Sequence, residues 1–466
     1  MPPADPLLAS ALEQARLIRE RALSAEELCR LYLDRIGRHN PAVQAFVEVI
    51  GRRALAAARR KDAQVMRADP RELPPFHGVP TGIKDLNFVR GTFTRFGSRA
   101  FRYLFSPVDD KTTAQLRRGG FVVLGKLATS EIGAMPVTEP AIHAPTRNPW
   151  NTDVSAGGSS GGSGAAVAAG LLPIAQGSDG AGSIRIPSAF CHLFGLKPSR
   201  GRVADPYGRP DEEALATMGP MARTVDDAAA MLDVMAGITM GEAHWAPRPP
   251  RPFAKLARET PPRLRIKLLT RSPLVTPHPA VAEATRRTGR LLAELGHEVE
   301  EGEEPVGSLD EFLPIWQKMI ADVPVPRWSL VQPITRWLAE GGKHHRIEDI
   351  EARKRELSRR ILAWFGDADL WVMPTVALLP PKIGAFYGGD PEDGFRRAAE
   401  LGAFTALFNV SGQPAASVPA GLSPEGLPIG VQLAGRPFAE GTVLAVARQL
   451  EVAMPWRERR APLAER

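Results

Sequence analysis

The chain has few cysteines, no long apolar run and no nucleotide-binding glycine fingerprint. Each absence excludes a class. Only two cysteines occur in 466 residues, Cys29 and Cys191, far apart in sequence. They make neither a disulfide framework nor a zinc site. No stretch of about twenty apolar residues is present, so no membrane span is expected. The opening residues show no basic segment ahead of an apolar one, so no secretory signal is read there. These features together predict a cytoplasmic protein. No G-x-G-x-x-G fingerprint occurs, and no lysine follows the last glycine of the glycine-rich stretch as a P-loop requires. The nine histidines offer no G-x-S-x-G elbow context either. No fixed-period repeat and no cluster of metal-ligating side chains is apparent, so neither a metal nor a cofactor is expected.

What is present is the composition of a globular protein, 44% hydrophobic and 24% charged. The formal net charge is +7, but the basic residues are spread and mixed with acids. "ARKRELSRR" (352–360) reads as a solvated helix face rather than a nucleic-acid stripe. Neither nucleic acid nor membrane is therefore expected as a partner.

Periodicity predicts alternating helices and short buried strands. Ser24 and Glu27 have capping-box spacing ahead of Leu28, Leu31, Tyr32 and Ile36. Residues 42–60 also carry a helical pattern. "KTTAQLRRGGFVVLGKLA" reads as a helix, a Gly-Gly stop and a buried strand, and "AVAEATRRTGRLLAELGHEVEE" repeats that logic. "ADLWVMPTV" reads as a buried strand closed by proline. The class is α/β: a central sheet covered by helices on both faces. The expected organisation is one large domain over 1–466. It has N-terminal helices to about 65, a core from about 66 to 238 and a proline-rich connector at about 240–262. A second lobe runs over about 263–400, and a return to the core over 401–466.

Three segments carry candidate chemistry. "SAGGSSGGSGAAVAAG" (155–170) has a linker-like start, then runs into the small apolar residues of a packed helix. "GSDGAGSIRIPSAFC" (177–191) sets glycines before Ser183. Its backbone N–H groups could converge as an oxyanion hole beside a nucleophile, or it could be a tight turn with a capping serine. "GVPTGIKDL" places Lys84 at the end of an apolar run. A lysine is a usable base only if burial or a nearby positive charge lowers its pKa. Otherwise it is a surface residue, and His192 or another of the nine histidines remains a rival.

Taken in order, these three segments resemble the amidase signature family. "FGLKPSRGRV", "GPMARTVDDAAAML", "NVSGQPAASVPAG" and "GLPIGVQLAGRPFAEGTVLAVA" agree with its downstream segments. The resemblance covers about residues 24–455 and implies that the α/β domain is built on a mixed central sheet. It implies a Ser–Ser–Lys triad: Ser183 as nucleophile, Ser159 as bridge and Lys84 as general base. It further implies an oxyanion hole of the N–H groups of Gly180, Ala181, Gly182 and Ser183, a loop braced by Asp179 and Arg185, and a cis peptide between Gly158 and Ser159. Ser159 Oγ should then reach both Lys84 and Ser183, while Ser160 should not bridge them. Two positions depart from the usual glycine. Ala181 would cost about 1 kcal/mol if its φ were positive, and His192 should alter packing under the nucleophile loop.

The implied activity is hydrolysis of a small-molecule amide through an acyl-enzyme, without cofactor, with a homodimer as the expected assembly. Alternatives are the glutamine-hydrolysing subunit of a tRNA-dependent amidotransferase, or an inactive scaffold of the same fold. The segment from Ser272 to Tyr387 should wall the acyl pocket with Trp316, Met319, Trp328, Trp337, Trp364 and Phe365. That favours an aryl, alkyl or cyclic-oligomer amide.

Overall fold

A computed structural model describes residues 5–206, 214–237 and 245–465. The proline-rich connector therefore lies partly outside the described residues. Thirteen strands occur among those described. They are β1 (Phe46–Val49), β2 (Pro80–Lys84), β3 (Val122–Leu127), β4 (Arg147–Asn148), β5 (Asn151–Ser155), β6 (Ile174–Asp179), β7 (Phe194–Lys197), β8 (Thr217–Ala222), β9 (Arg265–Leu268), β10 (Glu298–Glu301), β11 (Leu370–Pro374), β12 (Ala415–Leu422) and β13 (Pro428–Gly435).

Eight of them form the main sheet, in the order β10-β9-β11-β13-β12-β7-β8-β6. The β10-β9-β11 end is parallel and the rest antiparallel. The sheet is thus mixed, as expected. A small sheet, β1-β3-β2, abuts it. Thr81 Oγ1 on β2 donates to the Ile174 carbonyl on β6 at 3.1 Å, and the Lys84 N–H donates to Gln176 Oε1 at 3.2 Å.

Strand alternation sorts the main sheet into two faces. On β13, Ile429, Val431 and Leu433 enter one core, with Val225, Leu232, Leu292 and Leu444 from helices 225–235, 279–294 and 440–453. The intervening Gly430 and Gln432 face the other way, against Ala189 and Arg185 of the short helix Arg185–Phe190. Gly430 is small because a Cβ there would meet the Ala189 Cα at 2.7 Å. That short helix connects the loop carrying Ser183 to β7.

Local signals explain most elements. Ser24 Oγ caps the helix Ala25–Val43 by accepting from the Glu27 N–H at 2.9 Å. The helix Lys111–Arg118 ends at Gly119, and β3 follows. The helix Pro279–Glu294 ends ahead of Gly296, whose φ is +95°, and β10 follows. The helical pattern over 42–60 is corrected. The first helix stops at Val43, where Gln44 turns left-handed with φ +54°, and β1 intervenes before a second helix, Gly51–Val65. Pairing β1 with β3 buries Phe46, an incentive that helical periodicity cannot register.

Candidate active site

Lys84 closes β2, whose five residues are all buried. Its side chain is fully buried, and its ammonium meets only oxygens of uncharged groups. Ser159 Oγ lies 2.7 Å away, Ser160 Oγ 2.8 Å and Ser178 Oγ 2.9 Å. Burial lowers the Lys84 pKa from its ordinary value to about 7, against a weaker upward pull from Asp179. The charged form is disfavoured because no carboxylate touches it. At neutral pH the amine is therefore populated both with and without its extra proton.

The glycine-rich stretch is neither a linker nor a phosphate loop. It is buried throughout and turns into the helix Gly161–Ala168. The Gly158–Ser159 peptide is cis, as the resemblance implied. Gly158 has no room for a side chain, since a Cβ would sit 2.7 Å from the Val137 carbonyl carbon. Ser160 follows as the helix cap residue. Its hydroxyl donates to the Ser178 carbonyl at 3.1 Å and accepts the Ser178 N–H at 3.2 Å. Its own N–H donates to the Ser183 carbonyl at 3.2 Å.

β6 brings Ser178 and Asp179 to the same point, and the loop after it presents Ser183. Asp179 and Arg185 are not a surface pair: both are 0% exposed. Arg185 Nη2 and Nε donate to Asp179 Oδ1 and Oδ2 at 2.7 and 2.9 Å. Burial alone would raise the Asp179 pKa. The adjacent guanidinium more than offsets this and holds the carboxyl well below the usual carboxylate range. The rest of Arg185 is taken up by Gln432 Oε1 at 2.7 Å, Asn409 Oδ1 at 2.6 Å and the Thr405 carbonyl at 2.9 Å. Every hydrogen-bonding edge of this buried pair is used, which such a pair needs to be tolerated.

This brace changes one expectation. The Gly182 N–H donates to Asp179 Oδ1 at 2.7 Å. It is therefore committed to the carboxylate and is not free for a ligand's oxygen. Among the described residues, the N–H groups of Gly180, Ala181 and Ser183 have no protein acceptor. Gly182 instead supplies shape: its φ is +130°, and a Cβ there would collide with Thr405. Ala181 is not among the residues with positive φ, so the anticipated alanine penalty does not arise. His192 does take a positive φ, +58°, in a backbone conformation that favours glycine.

Ser183 opens onto a cavity of about 100 Å³. Its wall is apolar, including Met135, Ile186, Phe312, Trp316, Ile361 and Phe395, and no charged side chain lines it. Of the six large residues expected in the wall, only Trp316 lines it. Trp364 and Phe365 instead pack on Trp371, and Trp337 on Phe395. Met319 and Trp328 belong to the supporting core. Of the helices that carry these residues, Leu309–Ala321 and Ile347–Phe365 do line the cavity, through Leu309, Phe312 and Trp316 and through Leu357 and Ile361. Trp316 also donates from Nε1 to the Ala134 carbonyl at 3.2 Å, which fixes its ring beside Gly180.

The Lys84–Ser159 contact expected of a relay is formed. A hydrogen bond from Ser159 Oγ to Ser183 Oγ is not present among the described residues. Ser160 contacts Lys84 but does not join it to the Ser183 hydroxyl. Sequence reasoning missed Ser160 and Ser178 as lysine partners, and Thr405, Asn409 and Gln432 as braces. The last two fall in segments that matched the family, "NVSGQPAASVPAG" and "GLPIGVQLAG", but nothing in those letters shows that they meet Arg185.

Residues 27–444 match the model of the amidase family. The chain belongs to that family. A Synechocystis sp. protein assigned as an amidase, with no substrate in its name, is 39% identical over 96% of this chain and 89% of its own length. The 6-aminohexanoate-cyclic-dimer hydrolase of Pseudomonas sp. (strain NK87) is 36% identical over 97% of this chain and 96% of its own. The solved structure of a 6-aminohexanoate cyclic dimer hydrolase with substrate superposes with a TM-score of 0.89. It is 34% identical, covering 98% of this chain and 99% of that one. No helix among the described residues is long and apolar enough to cross a membrane.

Proposed function

We propose that the chain hydrolyses a carboxylic amide with an apolar acyl part, through an acyl-enzyme on Ser183. The observation that carries this reading is the environment of Lys84. It is a buried amine held by three hydroxyls and the Ser178 carbonyl, with no carboxylate in contact and a pKa lowered to about 7. Neutral Lys84 takes a proton from Ser159 Oγ as Ser159 takes one from Ser183 Oγ. The Ser183 oxygen then bonds to the amide carbon. Negative charge on the former carbonyl oxygen is met by the free N–H groups of the 180–183 loop, those of Gly180, Ala181 and Ser183. Collapse breaks the C–N bond, and the relay returns a proton to the departing amine. Water, activated by the same relay in reverse, releases the acid. The Ser159–Ser183 hydrogen bond is the element that substrate binding must complete, as such contacts often tighten only in the loaded enzyme.

The cavity supports an aryl, alkyl or cyclic-oligomer amide. Glutamine is disfavoured, because its α-ammonium and α-carboxylate would have no charged partner along the wall. The likeness to hydrolases of a 6-aminohexanoate cyclic dimer points the same way. The test is labelling with a serine-reactive fluorophosphonate, followed by peptide mapping and an amide panel. Modification at Ser183 with loss of activity is expected. Modification at Ser160 or Ser163, with Ser183 untouched, overturns the assignment.

A further inference from the structure

Thr405 stands at the start of the short helix Ala406–Val410 and is 0% exposed. A threonine there ordinarily caps its helix, its hydroxyl accepting a backbone N–H of the first turn. Thr405 makes no such cap. Its hydroxyl lies 2.6 Å from the Ala181 carbonyl oxygen and 3.3 Å from that of Gly402. It has one hydrogen to donate, and the shorter contact takes it. The side chain thus serves a loop 224 residues back along the chain instead of its own helix.

The Ala181 carbonyl shares a peptide plane with the Gly182 N–H, which donates to Asp179 Oδ1 at 2.7 Å. In a trans peptide these two groups point in opposite directions. The plane is therefore clamped at both edges, by Thr405 on one side and Asp179 on the other. The following plane is held as well, since the Ile186 N–H donates to the Gly182 carbonyl at 2.7 Å. The preceding plane is different. Among the described residues, neither its Gly180 carbonyl nor its Ala181 N–H has a protein hydrogen-bond partner. The direction of the Ala181 N–H is inherited from the clamped plane beside it.

We propose that Thr405 is a positioning residue for the reaction. By holding the Ala181 carbonyl, its hydroxyl aims the Ala181 N–H at the oxygen that becomes negative during acyl transfer. The inference rests on the reading of Ser183 as nucleophile. Thr405 does not line the cavity, whereas its neighbours Ala403 and Ala406 do. Loss of its hydroxyl should therefore leave substrate binding alone and weaken the transition state, where the charge on that oxygen is greatest.

The test compares Thr405→Ala with Thr405→Ser, which differ only in the hydroxyl. An alkyl fluorophosphonate counts the competent sites, as Ser183 Oγ bonds to phosphorus and fluoride leaves. Hydrolysis of hexanoyl para-nitroanilide is then read per competent site. In Thr405→Ala, kcat should fall about 10- to 100-fold, less than outright loss of an oxyanion donor, with KM within about threefold of the parent. The rate of Ser183 labelling should fall with it, because the phosphoryl oxygen sits where the carbonyl oxygen would. If the anilide is not turned over, the labelling rate alone decides. Thr405→Ser should return the rates to within about threefold of the parent. A merely structural role would lower the number of competent sites or the thermal midpoint and leave the rate per site as it was; that result overturns the proposal. So would a Thr405→Ser protein as slow as Thr405→Ala, or a raised KM with kcat kept. Thr405→Val repeats the deletion if Thr405→Ala does not fold. A Ser183→Ala protein that still hydrolyses the anilide would instead overturn the nucleophile, and with it the reading beneath this inference.

Discussion

Two buried lysines stand on neighbouring strands of the small sheet and have opposite surroundings. Lys84 and Lys126 are each 0% exposed. Ile83 pairs with Lys126, and Lys84 pairs with Leu127, so the two side chains leave the sheet on opposite faces. Lys126 meets a carboxylate, Asp85 Oδ1 at 2.8 Å, and donates to Thr94 Oγ1 at 2.8 Å. The Asp85 contact is an ion pair by distance rather than an aligned hydrogen bond. Lys84 meets three hydroxyls and no carboxylate. Burial costs an ammonium heavily unless a counter-charge compensates. Lys126 has that counter-charge and serves the fold. Lys84 lacks one, so its proton is loosely held and available for chemistry.

The widest separation comes from removing each amine while keeping its shape. Lys84→Met should lose amide hydrolysis by on the order of 10⁴-fold or more, as loss of a triad member does. It should not lose stability, because a desolvated amine is replaced by an apolar chain of similar length. The thermal midpoint is expected to hold or rise. A variant that keeps amidase activity would remove Lys84 from the mechanism.

Lys126→Met should do the reverse. It leaves the Asp85 carboxylate buried without its partner, and breaking a buried pair in this way costs about 3–5 kcal/mol. Asp85 Oδ2 also accepts the Arg95 N–H at 3.1 Å, so the 94–98 turn should loosen first. Denaturant unfolding should show the loss. Activity per folded molecule should fall little, since Lys126 touches none of the residues around Ser183. If Lys126→Met were as stable as the parent and inactive, the division of labour between the two lysines would be wrong.

The sequence places these two lysines and their partners unequally. In "GIKDL" Lys84 and Asp85 are neighbours in sequence, which does not make them a pair. Strand alternation sends them to opposite faces, and Asp85 goes to Lys126 instead. The Lys84–Ser159 contact and the cis peptide before Ser159 were legible because whole segments match a family, not because any spacing compels them. The roles of Ser160 and Ser178 were not legible. Both are ordinary small polar letters, and only the register of β6 against β2 brings them to one amine. The Gly182 N–H was misread for a similar reason. A glycine loop shows that backbone donors are available, but not that Asp179 has already claimed one of them. A sheet covered by helices, and most of the helices, followed from periodicity and caps, whereas its mixed character came with the family resemblance. β1 did not, because its four residues gain their stability from a partner strand far along the chain.

The smallest predicted effect is also the most direct test of the comparison, since it converts one lysine into the other. Ser178→Asp places a carboxylate where Ser178 Oγ now lies 2.9 Å from Lys84 Nζ. Lys84 would then resemble Lys126. An opposite charge at this range raises a lysine pKa by about 1–3 units. The sign follows from which form works. Only neutral Lys84 can accept the Ser159 proton, so parent activity should rise with pH through about 7 and then level. In Ser178→Asp the same rise should move to higher pH by the shift in pKa. At pH 7 the loss should be roughly tenfold to several hundred-fold, and it should shrink as pH is raised toward the new pKa. Ser178→Ala provides the control. It removes a hydroxyl without adding charge, so its pH profile should stay near that of the parent. The readout is kcat/KM against pH for all three proteins. A uniform loss in Ser178→Asp, with the profile unmoved, would mean that the absence of a carboxylate is not what frees the Lys84 proton.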